Sequence, residues 1–274
     1  MSEVHVVHAT APGCTWSWGY EPVLNRLRLV YGDQVKLHVP IGCPYEDYAQ
    51  WLKDYEMGEQ EAMDWLNESS GVMGLPFPRY TIEKIPWNVL PASLATMAAM
   101  RQGEREGWRF HRRLLRRVVV EQQDPADEAV PLAAAEEVGL DLARFRRDYA
   151  DDAGLREQLS QQGADAPPVH VGFYNVAVTD GVNRRVILDY AFDPAVVEGA
   201  IDYISGGTLT KRRPTDVLAY LQEHGFSSLV EIQRVFALSP GEAQARLEAL
   251  EKRGAAERGV LAGAPHWRAT GVGA

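Results

Sequence analysis

Cys14 and Ser17 are the residues of this sequence that are best placed to do chemistry. Cys14 follows a short β-branched segment and the turn Pro12-Gly13, and a helical pattern begins directly after it. The unpaired backbone N–H groups and the dipole at a helix N-terminus stabilise a thiolate, which is the nucleophilic form of cysteine. Ser17 lies one helical turn further on, so its hydroxyl is within reach of the Cys14 sulfur. The pattern therefore predicts a reactive thiol at Cys14.

The alternative is that Cys14 is a packing thiol, because cysteine is often buried and two tryptophans follow closely in the sequence. Cys43 lies in the apolar segment Ile41-Gly42-Cys43-Pro44 and is interpreted as a structural thiol. The 274 residues contain two cysteines in all. In a cytoplasmic protein both are expected to be reduced.

Composition and charge narrow the class of protein. Apolar residues make up 46% and charged residues 24% of the chain, as in soluble globular proteins. The net charge of −10 argues against general nucleic-acid binding, because phosphate neutralisation needs an excess of Lys and Arg. No apolar stretch approaches the roughly 18 residues of a membrane span, and the N-terminus lacks a signal-peptide pattern. We therefore expect a cytoplasmic protein without membrane contact, metal site or bound cofactor.

The predicted elements position Cys14 between the first strand and the first helix of an α/β core. Strand patterns occur twice before a long helical region and twice after it, over residues 4–9, 34–40, 169–178 and 185–190. Helical patterns lie between and after these strands, over residues 15–31, 45–68, 92–120, 126–138, 141–162 and 194–204. The resulting order is that of a thioredoxin fold in which an all-helical insertion occupies about residues 45–162. We expect this domain to cover residues 1–207.

Residues 208–274 are predicted to form a second, small domain. Three helical patterns are followed by a hairpin over residues 255–269, which suggests a winged helix. This segment carries nine Lys and Arg against seven Asp and Glu, and its third helix holds several glutamates, so the charge is poor for DNA. We therefore interpret the C-terminal domain as a surface for a protein partner, with nucleic acid the less favoured alternative.

A family resemblance is carried by residues 14–22, CTWSWGYEP. This segment resembles the C-x-W-C-W-G-x-E-P stretch of DsbA-like thioredoxin-fold proteins, especially the cytoplasmic branch related to FrnE. Shorter segments at residues 31–35, 74–77 and 91–93 also look like parts of that branch. The resemblance covers about residues 3–205. It implies a thiol–disulfide oxidoreductase or isomerase that acts on protein or small-molecule thiols and disulfides.

The resemblance also implies roles for individual residues. Ser17 stands where the family has its second active-site cysteine, so a C-x-x-S protein closes no disulfide there and needs another thiol, such as a low-molecular-weight co-substrate. Pro168, preceded by Pro167, best fits the family's cis-proline, which faces the reactive cysteine and exposes backbone to a substrate strand. Val169 follows in the same segment, and Trp16 is expected to line the site.

Three functional hypotheses remain open. The first is a monothiol oxidoreductase or isomerase with Cys14 as its nucleophile and Ser17 as the group that stabilises the thiolate. The second is a non-catalytic thioredoxin-fold adaptor protein, which fits the loss of the second cysteine and the appended domain. The third is a glutathione-type transferase or isomerase, although Ser17 lies one turn late for activating a bound thiol.

The sequence also places a basic stripe in the helical insertion. Its members are Arg109, Arg112, Arg113, Arg116 and Arg117. The usual interpretation is a solvated helix face balanced by acidic neighbours. The alternative is a site for an anion or a peptide carboxylate.

Overall fold

The computed structural model describes residues 3–164 and 166–271. Its first sheet contains β1 (Val4–Val7), β2 (Val35–His38), β3 (Asn175–Thr179) and β4 (Arg185–Asp189). The strand order is β2-β1-β3-β4, with β1 parallel to β2 and antiparallel to β3. This is the predicted α/β thioredoxin fold.

The helices of this region surround the sheet and form the insertion. They are α1 (Thr15–Tyr31), α2 (Tyr48–Asp54), α3 (Glu59–Met73), α4 (Leu90–Met100), α5 (Glu104–Val119), α6 (Ala129–Glu137), α7 (Leu142–Tyr149), α8 (Asp152–Gln161) and α9 (Pro194–Ser205). Helix α1 packs its apolar side on the sheet, where Val23, Leu27 and Val30 share one core with Val6 and Val178. A second core lies within the insertion, chiefly between α4, α5 and α7.

The insertion is helical as predicted, but its helices are shorter than the patterns indicated. The predicted helix over residues 92–120 is interrupted at Gly103, whose φ of 151° is a conformation that favours glycine. The predicted helix over residues 141–162 ends at Tyr149. A new helix starts there because the Asp151 side chain accepts a hydrogen bond from the Gly154 N–H. Periodicity alone does not detect such breaks.

The third strand begins later than expected. The pattern predicted a strand over residues 169–178, whereas β3 starts at Asn175. The Asn175 side chain accepts a hydrogen bond from the Gly172 N–H at 2.8 Å, which folds the preceding residues into a turn. The segment that contains Pro167 and Pro168 is therefore a loop and not a strand entry.

The C-terminal residues form three helices and a small sheet. Their elements are α10 (Val217–His224), β5 (Ser227–Ser228), α11 (Leu229–Phe236), α12 (Pro240–Lys252), β6 (Ala256–Leu261) and β7 (Ala264–Ala269), with sheet order β5-β7-β6. A separate core includes Leu221, Ile232 and Trp267. This element order is the one that a winged helix requires, and the assignment itself stays a prediction.

A buried arginine joins the C-terminal elements to the thioredoxin fold. Arg112 of α5 donates hydrogen bonds to Glu21 of α1 at 3.1 Å and to Glu231 of α11 at 2.6 Å. Its Nε donates to the backbone carbonyl of His224 at 2.9 Å. Burial alone would lower the pKa of Arg112, but Glu231, Tyr220 and Glu21 raise it above its ordinary value. All three charged side chains are almost completely buried.

Further polar contacts extend this junction. The Tyr220 hydroxyl donates to Glu231 at 2.6 Å and accepts from the Asn25 amide at 3.1 Å. The Arg112 guanidinium also lies over the Trp18 ring at 5.6 Å from its centroid. Because every group of this network has partners on other elements, α1, α5, α10 and α11 are held in one arrangement.

The remaining contacts of the C-terminal elements are apolar or involve the connecting segment. Leu261 and Ala262, at the tip of the β6–β7 hairpin, pack against the core that surrounds the first sheet. In the connecting segment, Thr210 forms backbone hydrogen bonds with the Gln34 side chain, and the Arg212 N–H donates to the Val30 carbonyl. The hairpin tip and the connecting segment are therefore both held by contacts with the thioredoxin fold.

Replacing Arg112 with alanine should lower the free energy of unfolding by about 3–5 kcal/mol, because two buried carboxylates lose their partner. Urea denaturation of the purified chain measures this change. Arg105→Ala is the matched control, because it removes an arginine of the same helix whose side chain is 71% exposed. We expect that variant to unfold like the unmodified protein. Equal unfolding midpoints for the two variants would contradict a structural role of the network.

Candidate functional site

Cys14 lies at the N-cap of α1, as the sequence predicted. Its backbone is extended, its N–H donates to the Ala11 carbonyl at 3.1 Å, and its carbonyl accepts from Trp18 at 3.3 Å. The chain therefore turns sharply between β1 and α1, and the thiol lies beside the first amides of the helix. The residue is partly exposed to solvent.

Burial dominates the electrostatics of this thiol. It raises the pKa of Cys14 above its ordinary value, while the backbone amides of Ser17 and Trp16 and the Ser17 hydroxyl oppose it with smaller effects. The amides at the helix N-terminus therefore lower the pKa of Cys14, as predicted, but their effect is smaller than that of burial. The favoured form of Cys14 is the neutral thiol, which is the weaker nucleophile.

Ser17 has a structural partner that the sequence did not indicate. Its side chain is only 1% exposed, and its oxygen accepts a hydrogen bond from the Ala11 N–H at 2.9 Å. This hydrogen bond lies inside the turn that connects β1 to α1 and stabilises it. The hydroxyl oxygen is consequently out of reach of a thiol that binds from solvent.

Cys43 lies in the loop after β2 and is a second free thiol. Its Sγ donates to the Tyr45 carbonyl at 3.1 Å, and burial raises its pKa to about 11. Burial also raises the pKa of Tyr45, with further contributions from Tyr80 and Cys14. Tyr45 therefore lies in the electrostatic neighbourhood of both thiols.

The prediction of a cis-proline at position 168 was wrong. The residues that the structure describes contain no cis peptide bond, so the bond between Pro167 and Pro168 is trans. Pro168 is exposed, and the Val169 N–H bonds locally to the Pro167 carbonyl at 2.7 Å. The residues that directly precede β3 are Phe173 and Tyr174, and not the two prolines. A substrate-binding role for the proline segment stays a prediction without this geometric support.

Aromatic rings form a continuous series beside Cys14, which we call the aromatic arc. Its members, in order of contact, are Tyr45, Trp51, Trp65, Trp16, Tyr190 and Tyr174. Consecutive ring centroids lie between 5.1 and 6.3 Å apart. Trp16, which the sequence placed in the site, is buried as the inner member. Tyr190 and Tyr174 are 44% and 41% exposed, so this end of the arc faces solvent.

The tyrosines of the arc were missed from the sequence. Tyr174 and Tyr190 flank the hairpin on either side of the predicted turn at Asp180-Gly181. The Tyr190 N–H donates to the Tyr174 carbonyl at 2.8 Å, which continues the register that pairs Asn175 with Asp189. Counting outward from Asp180-Gly181 would instead pair Tyr174 with Ile187, because the observed turn extends to Arg184 and shifts the register. The approach of the two tyrosine rings to Trp16 depends on helix packing and had no sequence signal.

His5 and His38 form a pair on the first sheet, and His8 has a backbone partner. His5 and His38 lie in contact, with Nδ1 and Nε2 3.0 Å apart. His8 is buried, bonds to the Asn175 carbonyl, and burial lowers its pKa to about 4. Across residues 3–164 and 166–271, no three His, Cys, Asp or Glu side chains are grouped as a metal site. Nor does this part of the chain contain a helix long and apolar enough to cross a membrane.

Curated relatives of this chain share most of its length. It is 24% identical over 249 residues to the ClpXP adapter protein SpxH of Shouchella clausii, covering 87% of this chain and 79% of that protein. It is also 24% identical over 244 residues to SpxH of Bacillus subtilis, covering 87% and 80%. These alignments are long enough to include part of the C-terminal elements.

The solved structures support the fold. The cytosolic disulfide reductase DsbM of Pseudomonas aeruginosa superposes with a TM-score of 0.53 at 22% identity, covering 73% of this chain and 99% of that one. The family model described as thioredoxin matches residues 10–159, which is more than half of the chain and includes Cys14, Ser17 and the helical insertion. The chain therefore belongs to the thioredoxin family.

Proposed function

We propose that this protein is an adaptor, which binds a protein partner at the aromatic arc beside Cys14. The observation that carries the proposal is the exposed end of the arc, formed by Tyr174 and Tyr190, which connects through Trp16 to the start of α1, where burial raises the pKa of Cys14. Large aromatic side chains at a surface are the residues that most often dominate protein–protein binding energy.

The chemistry around Cys14 supports binding more than catalysis. A disulfide oxidoreductase of this fold needs a thiolate, a resolving thiol and a backbone edge that receives the substrate. Here burial raises the pKa of Cys14, Ser17 stands in place of the second cysteine, and the Pro167–Pro168 bond is trans. Ser17 is also sealed from solvent, which disfavours a transferase that would use it on a bound thiol.

The relatives give the adaptor proposal a partner. The curated relatives described above are named ClpXP adapters, and we propose the same role for this chain. An adaptor must contact two proteins, and the molecule offers two separate units for this purpose, the thioredoxin fold and the C-terminal elements. We expect it to act in the cytoplasm, where its two free thiols would remain reduced.

We further propose that the C-terminal unit is a winged helix used for protein contact and not for DNA. The exposed side of α12 carries Glu242, Glu248 and Glu251, which would repel phosphates. The hairpin tip, which would be the wing, is occupied by its contact with the first core through Leu261 and Ala262.

A second candidate function is the monothiol oxidoreductase, in which Cys14 forms a mixed disulfide and an external low-molecular-weight thiol releases it. The observation that favours it is the position of Cys14, which is partly exposed at the N-cap with the Trp16 and Ser17 amides directed to it. Burial opposes ionisation of the Cys14 thiol. A bound partner would therefore have to make the surroundings of the thiol more polar before it could react in this way.

If the arc is the binding surface, Tyr174→Ala together with Tyr190→Ala should weaken partner binding by about tenfold or more. The full chain is used to capture proteins from cells, where we expect ClpX or ClpP together with a second protein. Affinities of the purified partners are then measured by calorimetry for the unmodified chain and the double variant. At least one of the two affinities should fall.

Tyr203→Ala is the matched control for this experiment, because Tyr203 is 67% exposed on α9 and lies outside the arc. It should leave both affinities unchanged. Absence of ClpX and ClpP from the captured proteins would refute the ClpXP role. Unchanged affinities in the double variant would refute the arc as the surface.

Alkylation of Cys14 by iodoacetamide separates the two candidate functions. In a Cys43→Ser background, we expect the rate to rise with pH and to show its inflection above the ordinary pKa of a cysteine thiol, because burial favours the protonated form. The unfolded chain in urea, with an ordinary thiol pKa, should react faster. Fast reaction of the folded protein with an inflection below pH 7 would favour the oxidoreductase.

A further inference from the structure

A cleft lined by arginines lies between the helical insertion and the C-terminal elements. Helix α5 forms one wall, and α10, the residues after it and β7 form the other. The arginines that line it are Arg109, Arg112, Arg113, Arg116 and Arg268. Its volume of about 70 Å³ exceeds the roughly 10–15 Å³ that a single water requires, so it has room for a small anion.

The carboxylates around the cleft are already engaged. Glu21 and Glu231 are bound by Arg112, and Glu121 is bound by both Arg113 and Arg116. The two acidic residues that line the cleft are Glu137 and Glu223, and each also has an arginine partner. Glu137 pairs with Arg113 and Arg117, Glu223 pairs with Arg105, and Arg268 pairs with Glu257 outside the cleft.

Arg109 is left over from these pairs. Its Nε has no hydrogen-bond partner among the residues that the structure describes, and the side chain as a whole is half-buried at the cleft. The lining carboxylate Glu223 accepts two hydrogen bonds from Arg105, and the charge of Arg109 contributes less than Arg105 does to the lowered pKa of Glu223. Because the other lining arginines are all paired with carboxylates, Arg109 is the one whose guanidinium can donate to an anion.

Two pKa shifts include the effect of the arginine charges at this cleft. Burial and the neighbouring Arg113 lower the pKa of Arg116 to about 10. Burial and the charges of Arg112, Arg28 and Arg109 lower the pKa of His224 to about 2, so its imidazole is neutral at physiological pH.

Phe226 shapes the cleft from the C-terminal side. The guanidinium of Arg116 lies 5.2 Å and that of Arg268 4.9 Å from the centre of its ring. The Phe226 ring therefore lies close to both guanidinium groups, and each is stabilised by a cation–π contact with it. An anion that enters meets these two guanidinium groups, each already paired with a glutamate, together with that of Arg109.

We propose that this cleft binds a phosphate group, held chiefly by Arg109. Arginine donates a planar fork of N–H groups that matches phosphate oxygens, and Arg109 is a cation without a paired carboxylate, which favours an anion in the cleft. Because the cleft joins α5 to the C-terminal elements, the bound phosphate would strengthen their contact. The group comes either from inorganic phosphate or from a small phosphate monoester.

Isothermal calorimetry on the full chain tests the site, with inorganic phosphate, phosphoserine and acetate as probes at one ionic strength. We expect one phosphate per chain and weaker binding of acetate. Arg109→Gln should weaken phosphate binding by about tenfold or more, because it removes the charged donor. Arg109→Lys keeps the charge but lacks the fork, and should also weaken binding. Phosphoserine binding at least as tightly as phosphate would identify a monoester as the source.

Arg147→Gln is the charge-matched control, since Arg147 is an exposed arginine of α7 outside the cleft. It should leave phosphate affinity unchanged. The site would be refuted by the absence of phosphate binding, by acetate binding as tightly as phosphate, or by equal phosphate affinities of Arg109→Gln and the unmodified chain. A thermal melt without phosphate confirms that each variant is folded before titration.

Discussion

The arrangement of this molecule depends on one buried arginine. Arg112 is bound to Glu21, Glu231 and the carbonyl at the end of α10, and it is only 5% exposed to solvent. A charge in this position is tolerated only when all its donors are satisfied. The first helix of the thioredoxin fold, the insertion and the C-terminal elements must therefore come together in one way. The proposed phosphate cleft is lined in part by Arg112 itself, and the aromatic arc reaches α1 through Trp16.

The same effect of burial bears on the proposed function of the Cys14 position. A helix N-terminus favours a thiolate, but the advantage is limited when the sulfur is withdrawn from water. Replacement of the second cysteine by Ser17 then changes more than the number of thiols, because the serine oxygen fixes the turn through Ala11. The exposed rings of Tyr174 and Tyr190 support the proposed recognition of a protein partner.

The arginine stripe of α5 shows how tertiary contacts change the meaning of a pattern. On an isolated helix these residues would form a solvated basic face. In the folded molecule α6 and the C-terminal elements pack beside that face, and most of its charges form ion pairs with Glu121, Glu137 and Glu231. These elements leave Arg109 unpaired beside a cleft. Whether a basic stripe is a neutral network or an anion site is decided by the few acidic residues that arrive from elsewhere.

The sequence by itself determined the thioredoxin fold, the N-cap position of Cys14, the helical insertion and the three helices with a hairpin at the end, because each follows from local periodicity, turns and caps. The pKa of Cys14, the partner of Ser17 and the aromatic arc were decided only by the tertiary structure. They depend on burial and on contacts between residues far apart in the chain, such as Trp16 with Tyr190. The prolines at 167 and 168 failed as a guide for the same reason, since the turn made by Asn175 moved the strand entry away from them.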